Sequence, residues 1–282
     1  MSTVAVIGAG EIGGATARAL ASRDRVRRVV LIDAAVHVAA GKALDIQQSG
    51  AVEGFHTKVT ATADLSAAAL ADVCVVADRT GARSEEWRGE EGLAMLRRLL
   101  QYASRAPIVC AGPGSADLIL AGVRELDVQR ERLFGSAPEA LASATRAMVA
   151  LDRRCSPGEV SLAVLGAPPA GFVVPWSDVA VAGFALERLL NQADLARLEA
   201  RCRQLWPPGP QTLGIAAAQT AEAAILSARR FVSVFMYLDG EFGVRRQVAA
   251  FPAFLTPSGI QDRHMPSLNT RERVQLQSVL KG

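Results

Sequence analysis

Short apolar runs alternate with stretches of helical spacing through the first half of the chain. Residues 3–7 (TVAVI) are apolar and stop at glycines, as a buried parallel strand does. Residues 11–22 (EIGGATARALAS) carry apolar side chains at helical spacing, and 28–33 (RVVLID) form a second short run ending on an acid. Strand, tight turn, helix and strand within about thirty residues make a βαβ unit. Residues 73–77 (VCVVA), 107–112 (PIVCAG) and 131–137 (ERLFGSA) read as further strands, with helices over 87–103 and 116–126. The alternation predicts an α/β fold, a doubly wound parallel sheet with helices on both faces.

The pattern changes near Pro138, which divides the chain into 1–137 and 138–282. The second part reads as α+β. It opens with a helix over about 139–152, followed by a strand over 159–166 and strand-like runs at 171–174 and 179–184. A charged helix over 194–205 ends at Pro207, Pro208 and Pro210, and an alanine-rich helix follows over 211–229. Residues 231–255 read as an antiparallel hairpin turning at Asp239-Gly240, and a last helix starts at Thr270.

Composition narrows the function. Half of the 282 residues are apolar, enough for one large core or two closely packed ones. A formal charge of +3, with arginines scattered along the chain, gives no footprint for nucleic acid or a membrane surface. Cys74, Cys110, Cys155 and Cys202 form no C-x-x-C pair and have no histidine at ligand spacing, so no metal site is expected. Apolar strand residues begin at Val4, and no run reaches the roughly 18 apolar residues of a membrane span. The expectation is a soluble cytoplasmic protein with reduced thiols.

The turn between the first strand and helix carries chemistry. Gly8, Gly10 and Gly13 stand in a G-x-G-x-x-G run that follows a strand and opens a helix. In such a run the first glycine permits the tight turn, the second lets backbone approach a pyrophosphate, and the third permits close helix packing. The helix start offers N–H groups and a positive dipole end to phosphate. Asp33 closes the second strand at the spacing where a carboxylate accepts hydrogen bonds from a ribose 2′-OH and repels a 2′-phosphate, which favours NAD over NADP.

The stretches GAGEIGGATARAL, LIDAAVHVAAGKALDI and VEGFHTKVTATADLSAAALADVCVV, the strand VLG at 164–166 and YLDGEFG at 237–243 together resemble the lactate/malate dehydrogenase family along nearly the whole chain. The resemblance implies a Rossmann domain over 1–137 and a substrate domain over 138–282. It implies NAD(H) lying along Gly8, Gly10, Glu11, Ile12, Gly13, Asp33 and Ala77. It also implies a homodimer or homotetramer with the GKALDI helix at its interface.

The family's chemistry uses a histidine held by an aspartate, arginines that clamp the substrate, and an asparagine. Those positions read differently here. Pro168 stands for the histidine of G-G-H-G-D, and Ala142 and Thr145 for the acid and arginine of L-D-S-A-R. Gly112 stands for the asparagine of S-N-P. Arg146, one position past Thr145, should point elsewhere, since a helix turns about 100° per residue. His37, His56 and His264 do not align with the lost base. In the mobile loop, Arg88 aligns with the second arginine and Arg83 lies near the first. Asp78, Arg79, Glu85 and Glu86 complete a charge cluster read as a solvated lid. Residues 167–170 (APPA) suggest a less polar pocket for a small-molecule ligand. The expectation is an NAD(H)-binding protein without ordinary 2-hydroxy-acid dehydrogenase activity, a pseudoenzyme. The alternative is an active NAD-dependent oxidoreductase that uses other groups.

Overall fold

A strand hydrogen-bonded on both sides and covered by helices on both faces must be apolar throughout, and Val4, Ala5 and Val6 of β1 (Thr3–Ile7) are fully buried. The computed structural model describes residues 2–81 and 85–281. After β1 come α1 (Glu11–Ser22), β2 (Arg28–Ile32), α2 (Val36–Glu53), β3 (Lys58–Thr62), β4 (Val73–Val76), α3 (Gly89–Tyr102), β5 (Ile108–Cys110), α4 (Ser115–Glu125) and β6 (Leu133–Gly135). These strands are parallel in the order β3-β2-β1-β4-β5-β6, the Rossmann arrangement. The register places Val4 between Val29 and Val73, so β-branched side chains stack across the sheet centre.

The second half begins with α5 (Ala137–Arg153), β7 (Val160–Ser161), β8 (Leu165–Ala167), β9 (Gly171–Val173), β10 (Ala180–Val181), β11 (Phe184–Ala185) and α6 (Gln192–Cys202). It ends with α7 (Pro210–Leu226), β12 (Phe231–Asp239), β13 (Arg245–Thr256), β14 (Gly259–Arg263) and α8 (Thr270–Lys281). Strand β12 joins the parallel half antiparallel to β6 and continues the sheet through β13, β8 and β9, with β14 on the other part of β13. A smaller sheet, β11-β10-β7, covers a second apolar cluster that includes Leu141, Val164, Trp176 and Leu198. No helix among the described residues is long and apolar enough to cross a membrane.

Three sequence readings change. The strand expected over 159–166 is two strands, because β7 pairs with β10 while β8 pairs with β13. The run at 179–184 is a tight hairpin, turning at Ala182 and Gly183, both at positive φ. The expected two-residue turn at Asp239-Gly240 is longer, with a helical turn at Glu241–Gly243 before β13. The strand β14 had no separate signature.

Helix α7 runs alongside α1. Gly214 makes the approach possible: a Cβ there would press on the Ala15 side chain and on the backbone at Ile12 and Thr16. Further along the same seam, Arg23 Nε donates to both oxygens of buried Glu222 at 2.8 Å. Removing Glu222 leaves a partly buried guanidinium without its acceptor. Glu222→Ala should therefore cost about 2 kcal/mol of unfolding free energy, a typical loss for a charged hydrogen bond. Chemical denaturation would read this as a lower midpoint at unchanged slope.

Several carboxylates are held below their ordinary range. Hydrogen bonds from His56 and Thr57 bring Asp24 to about 2. For Glu131 and Glu241 burial raises the pKa, but backbone hydrogen bonds and the Arg130 and Arg263 guanidinium groups outweigh it. Asp178 runs the other way, raised by burial. A depressed acid stabilises the fold above its unfolded pKa of about 4 and loses that contribution as pH falls toward the folded value. The thermal midpoint should fall steadily from about pH 5 to pH 3. A flat midpoint over that interval contradicts this balance.

Candidate functional site

Gly8 takes φ +103°, a conformation that side chains disfavour, and its face packs on the carbonyl of Asp78 at the end of β4. Gly10 N–H donates to that carbonyl at 2.9 Å. Gly13 packs against the Gly8 carbonyl, leaving no room for a side chain. Ala77 N–H pairs with the Ile7 carbonyl at 2.8 Å and locks β4 to β1 beneath the turn. From α2, Lys42 Nζ donates to the Ala9 and Gly10 carbonyls at 2.7 Å each.

The start of α1 departs from the sequence reading. Its N–H groups, expected to be free for phosphate, are taken by the side chain of Asp78. Glu11 N–H donates to Asp78 Oδ2 at 2.8 Å, Ile12 N–H to the same oxygen at 3.1 Å, and Gly13 N–H to Oδ1 at 2.9 Å. A Cβ on Gly10 would collide with this carboxylate, so the second glycine here makes room for Asp78. Asp78 is 2% exposed, which corrects its assignment to a solvated lid. The physical reason is the helix start itself, where unpaired N–H groups and the dipole draw in an anion.

Asp33 lies beside it. Its Oδ2 accepts from Ala9 N–H at 2.8 Å and Thr80 N–H at 3.0 Å, and its Oδ1 from Ala35 N–H at 2.8 Å. Burial pushes the Asp33 carboxyl up, but these hydrogen bonds outweigh it and leave the pKa below the ordinary value. Beyond Asp33 opens a cavity of about 390 Å³, walled by Ile7, Ile32, Leu65, Met95 and Trp87. Arg79 and Trp87 also line it, and the buried Arg79 Nε and Trp87 Nε1 have no hydrogen-bond partner among the described residues. An apolar slot with a carboxylate and unused donors fits a nucleoside. The pyrophosphate of a dinucleotide fits less well, because its donors already hold Asp78.

The family's substrate positions are filled by uncharged residues. Thr145 is fully buried; its hydroxyl donates to the Leu141 carbonyl at 2.8 Å and lies 3.3 Å from Cys202 Sγ. Ala142 is buried in the second apolar cluster. Arg146 reaches Glu139 Oε1 at 2.7 Å, and Glu139, itself buried, also accepts from Ser233 N–H at 3.0 Å. Pro168 is buried at the turn after β8. Beside that turn is a cavity of about 540 Å³ lined by Phe172, Val173, Trp206 and Val279, with Arg203 as its cation. His56 sits on the surface against Asp24, and His264 stacks on Phe231.

Gly112 holds a second change. The space a side chain would fill there is occupied by the Glu86 carboxylate. Glu86 Oε2 accepts Gly114 N–H at 2.9 Å, at the start of α4, and Oε1 lies 3.2 Å from Arg88. Arg88 is largely exposed. Arg83 lies outside the described residues. The sequence places Asp78 and Glu86 only in a charge cluster read as a solvated lid and does not single out Lys42; an acid immediately after the β4 run is the one signal for Asp78.

Comparison with known proteins agrees with the fold. Residues 2–90 match the lactate/malate dehydrogenase NAD-binding domain. A malate dehydrogenase of Thioalkalivibrio sulfidiphilus is 27% identical, the alignment covering 100% of this chain and 97% of that protein. One of Sorangium cellulosum is 29% identical, covering 99% and 94%. The solved malate dehydrogenase of Salinibacter ruber superposes with a TM-score of 0.86 at 22% identity, over 98% of this chain and 93% of that one, a likeness of fold. Residues 2–90 thus match the lactate/malate dehydrogenase NAD-binding domain, which makes NAD the cofactor, and the chain as a whole has the fold of the malate dehydrogenases it is similar to.

Proposed function

We infer that this is an NAD(H)-binding protein that does not carry out ordinary 2-hydroxy-acid dehydrogenation. The observation that carries the reading is the set of residues at the family's chemical positions. Oxidising a hydroxy acid removes a hydride and a proton, and the proton needs an acceptor within hydrogen-bond reach. Pro168 and Ala142 have no titratable group, and Thr145 spends its hydroxyl on its own helix. A positioned base contributes on the order of 10²–10⁴ in rate, and an arginine clamp adds orientation.

A second reading is an active NAD-dependent oxidoreductase of the malate/lactate type that uses other groups. The names of the relatives favour it, and so does one contact: Glu86, set against Gly112 and oriented by Gly114 N–H and Arg88, is an ionisable group beside a family substrate position. In either case the proposed division at 137/138 falls in the first turn of α5. Self-association would use α2, where Val38, Leu44 and Val52 are exposed.

Steady-state assays with malate, lactate and related hydroxy acids plus NAD separate the readings. The first expects turnover below about 0.1 s⁻¹, against roughly 10 s⁻¹ for an ordinary enzyme. Turnover near the ordinary value, lost by about a hundredfold in Glu86→Gln, would establish the second.

A further inference from the structure

We propose that Asp78 is a built-in anion occupying the seat of the cofactor's pyrophosphate, so that the phosphates of NAD must displace a carboxylate of the protein itself. The inference rests on the NAD(H)-binding reading above and concerns what the site selects.

Backbone N–H groups at a helix start following a glycine turn bind phosphate because they lack partners within the helix and carry the positive dipole end. Here Glu11, Ile12 and Gly13 donate to one carboxylate, spread over both its oxygens. The carboxylate fills the space opened by the missing side chain of Gly10. Asp78 is also fixed through its backbone, whose carbonyl accepts Gly10 N–H and packs on Gly8. The side chain follows β4 and its donors open α1, and the backbone contacts of Asp78 with Gly8 and Gly10 hold the two segments together. An incoming phosphate meets a local carboxylate that cannot diffuse away, together with the repulsion of its charge.

The nucleoside half of the site is not obstructed in this way. Its cavity opens beyond Asp33 and is lined by Trp87, whose Nε1 has no partner among the described residues. The protein should accordingly respond to the adenosine part of a ligand and gain little from its phosphates. Removing the carboxylate should restore the phosphate contribution. Asp33 cannot take the place of Asp78, since its oxygens already accept from Ala9, Ala35 and Thr80.

The test compares NADH, followed by fluorescence titration, with adenosine, followed by saturation-transfer NMR, on the wild type, Asp78→Ala and Asp78→Asn. In the wild type NADH should bind no more than about tenfold more tightly than adenosine. Asp78→Ala should tighten NADH by about tenfold or more and change adenosine by less than about twofold. Asp78→Asn keeps the side chain's size while removing its charge, and should shift NADH in the same direction. The wild-type ratio needs no variant and stands even if Asp78→Ala misfolds. NADH bound far more tightly than adenosine by the wild type, or equally by all three proteins, overturns the role of Asp78 and leaves the cofactor reading intact. Binding of neither ligand by any of the three overturns both.

Discussion

The N–H groups that open α1 need an acceptor, and the structure around them follows from that need. A helix start buried in a protein must be capped by a side chain, water or a ligand. In a dinucleotide-binding fold the ligand does it. In this chain Asp78 does it, and the consequences spread outward. The glycine turn is held against the end of β4, Gly10 serves an internal contact, and Asp33 stands beside a site already partly filled.

The same solution recurs at α4. Gly112 and Gly114 leave a hollow at the helix start, and Glu86 fills it. At both places a residue without a side chain is matched by an acid reaching in from elsewhere in the chain. The family's polar contacts to cofactor and substrate are thereby exchanged for contacts within the protein. The exchange extends to Arg146, which turns to buried Glu139, and to Thr145, which turns to Leu141. Both side chains are thus held by partners within the protein.

The parallel half was legible because burial on both faces forces continuous apolar runs, and because glycines punctuate the first turn. TVAVI, VCVV and the acid at Asp33 each carry their meaning locally. The second half was harder to read. Strands of two or three residues such as β7, β10 and β11 have no room for a period, and their pairing depends on partners far along the chain. The glycine motif was recognised, but its occupant was not. Asp78 lies 65 residues or more beyond the N–H groups it accepts from, and its place just after the β4 run is its one local signal. Glu86 was likewise hidden, since its role depends on two glycines in another element.

The seam between α1 and α7 gives the arrangement a mechanical character. Gly214 brings the backbone of a late helix onto the first turn of an early one, and Arg23 with Glu222 fastens the far end. The anchored helix is the one whose opening residues hold Asp78. Both halves of the chain are therefore clamped to a single rod. A displacement large enough to free that turn would have to slide the alanine-lined contact along its length, carrying the late half of the molecule with it.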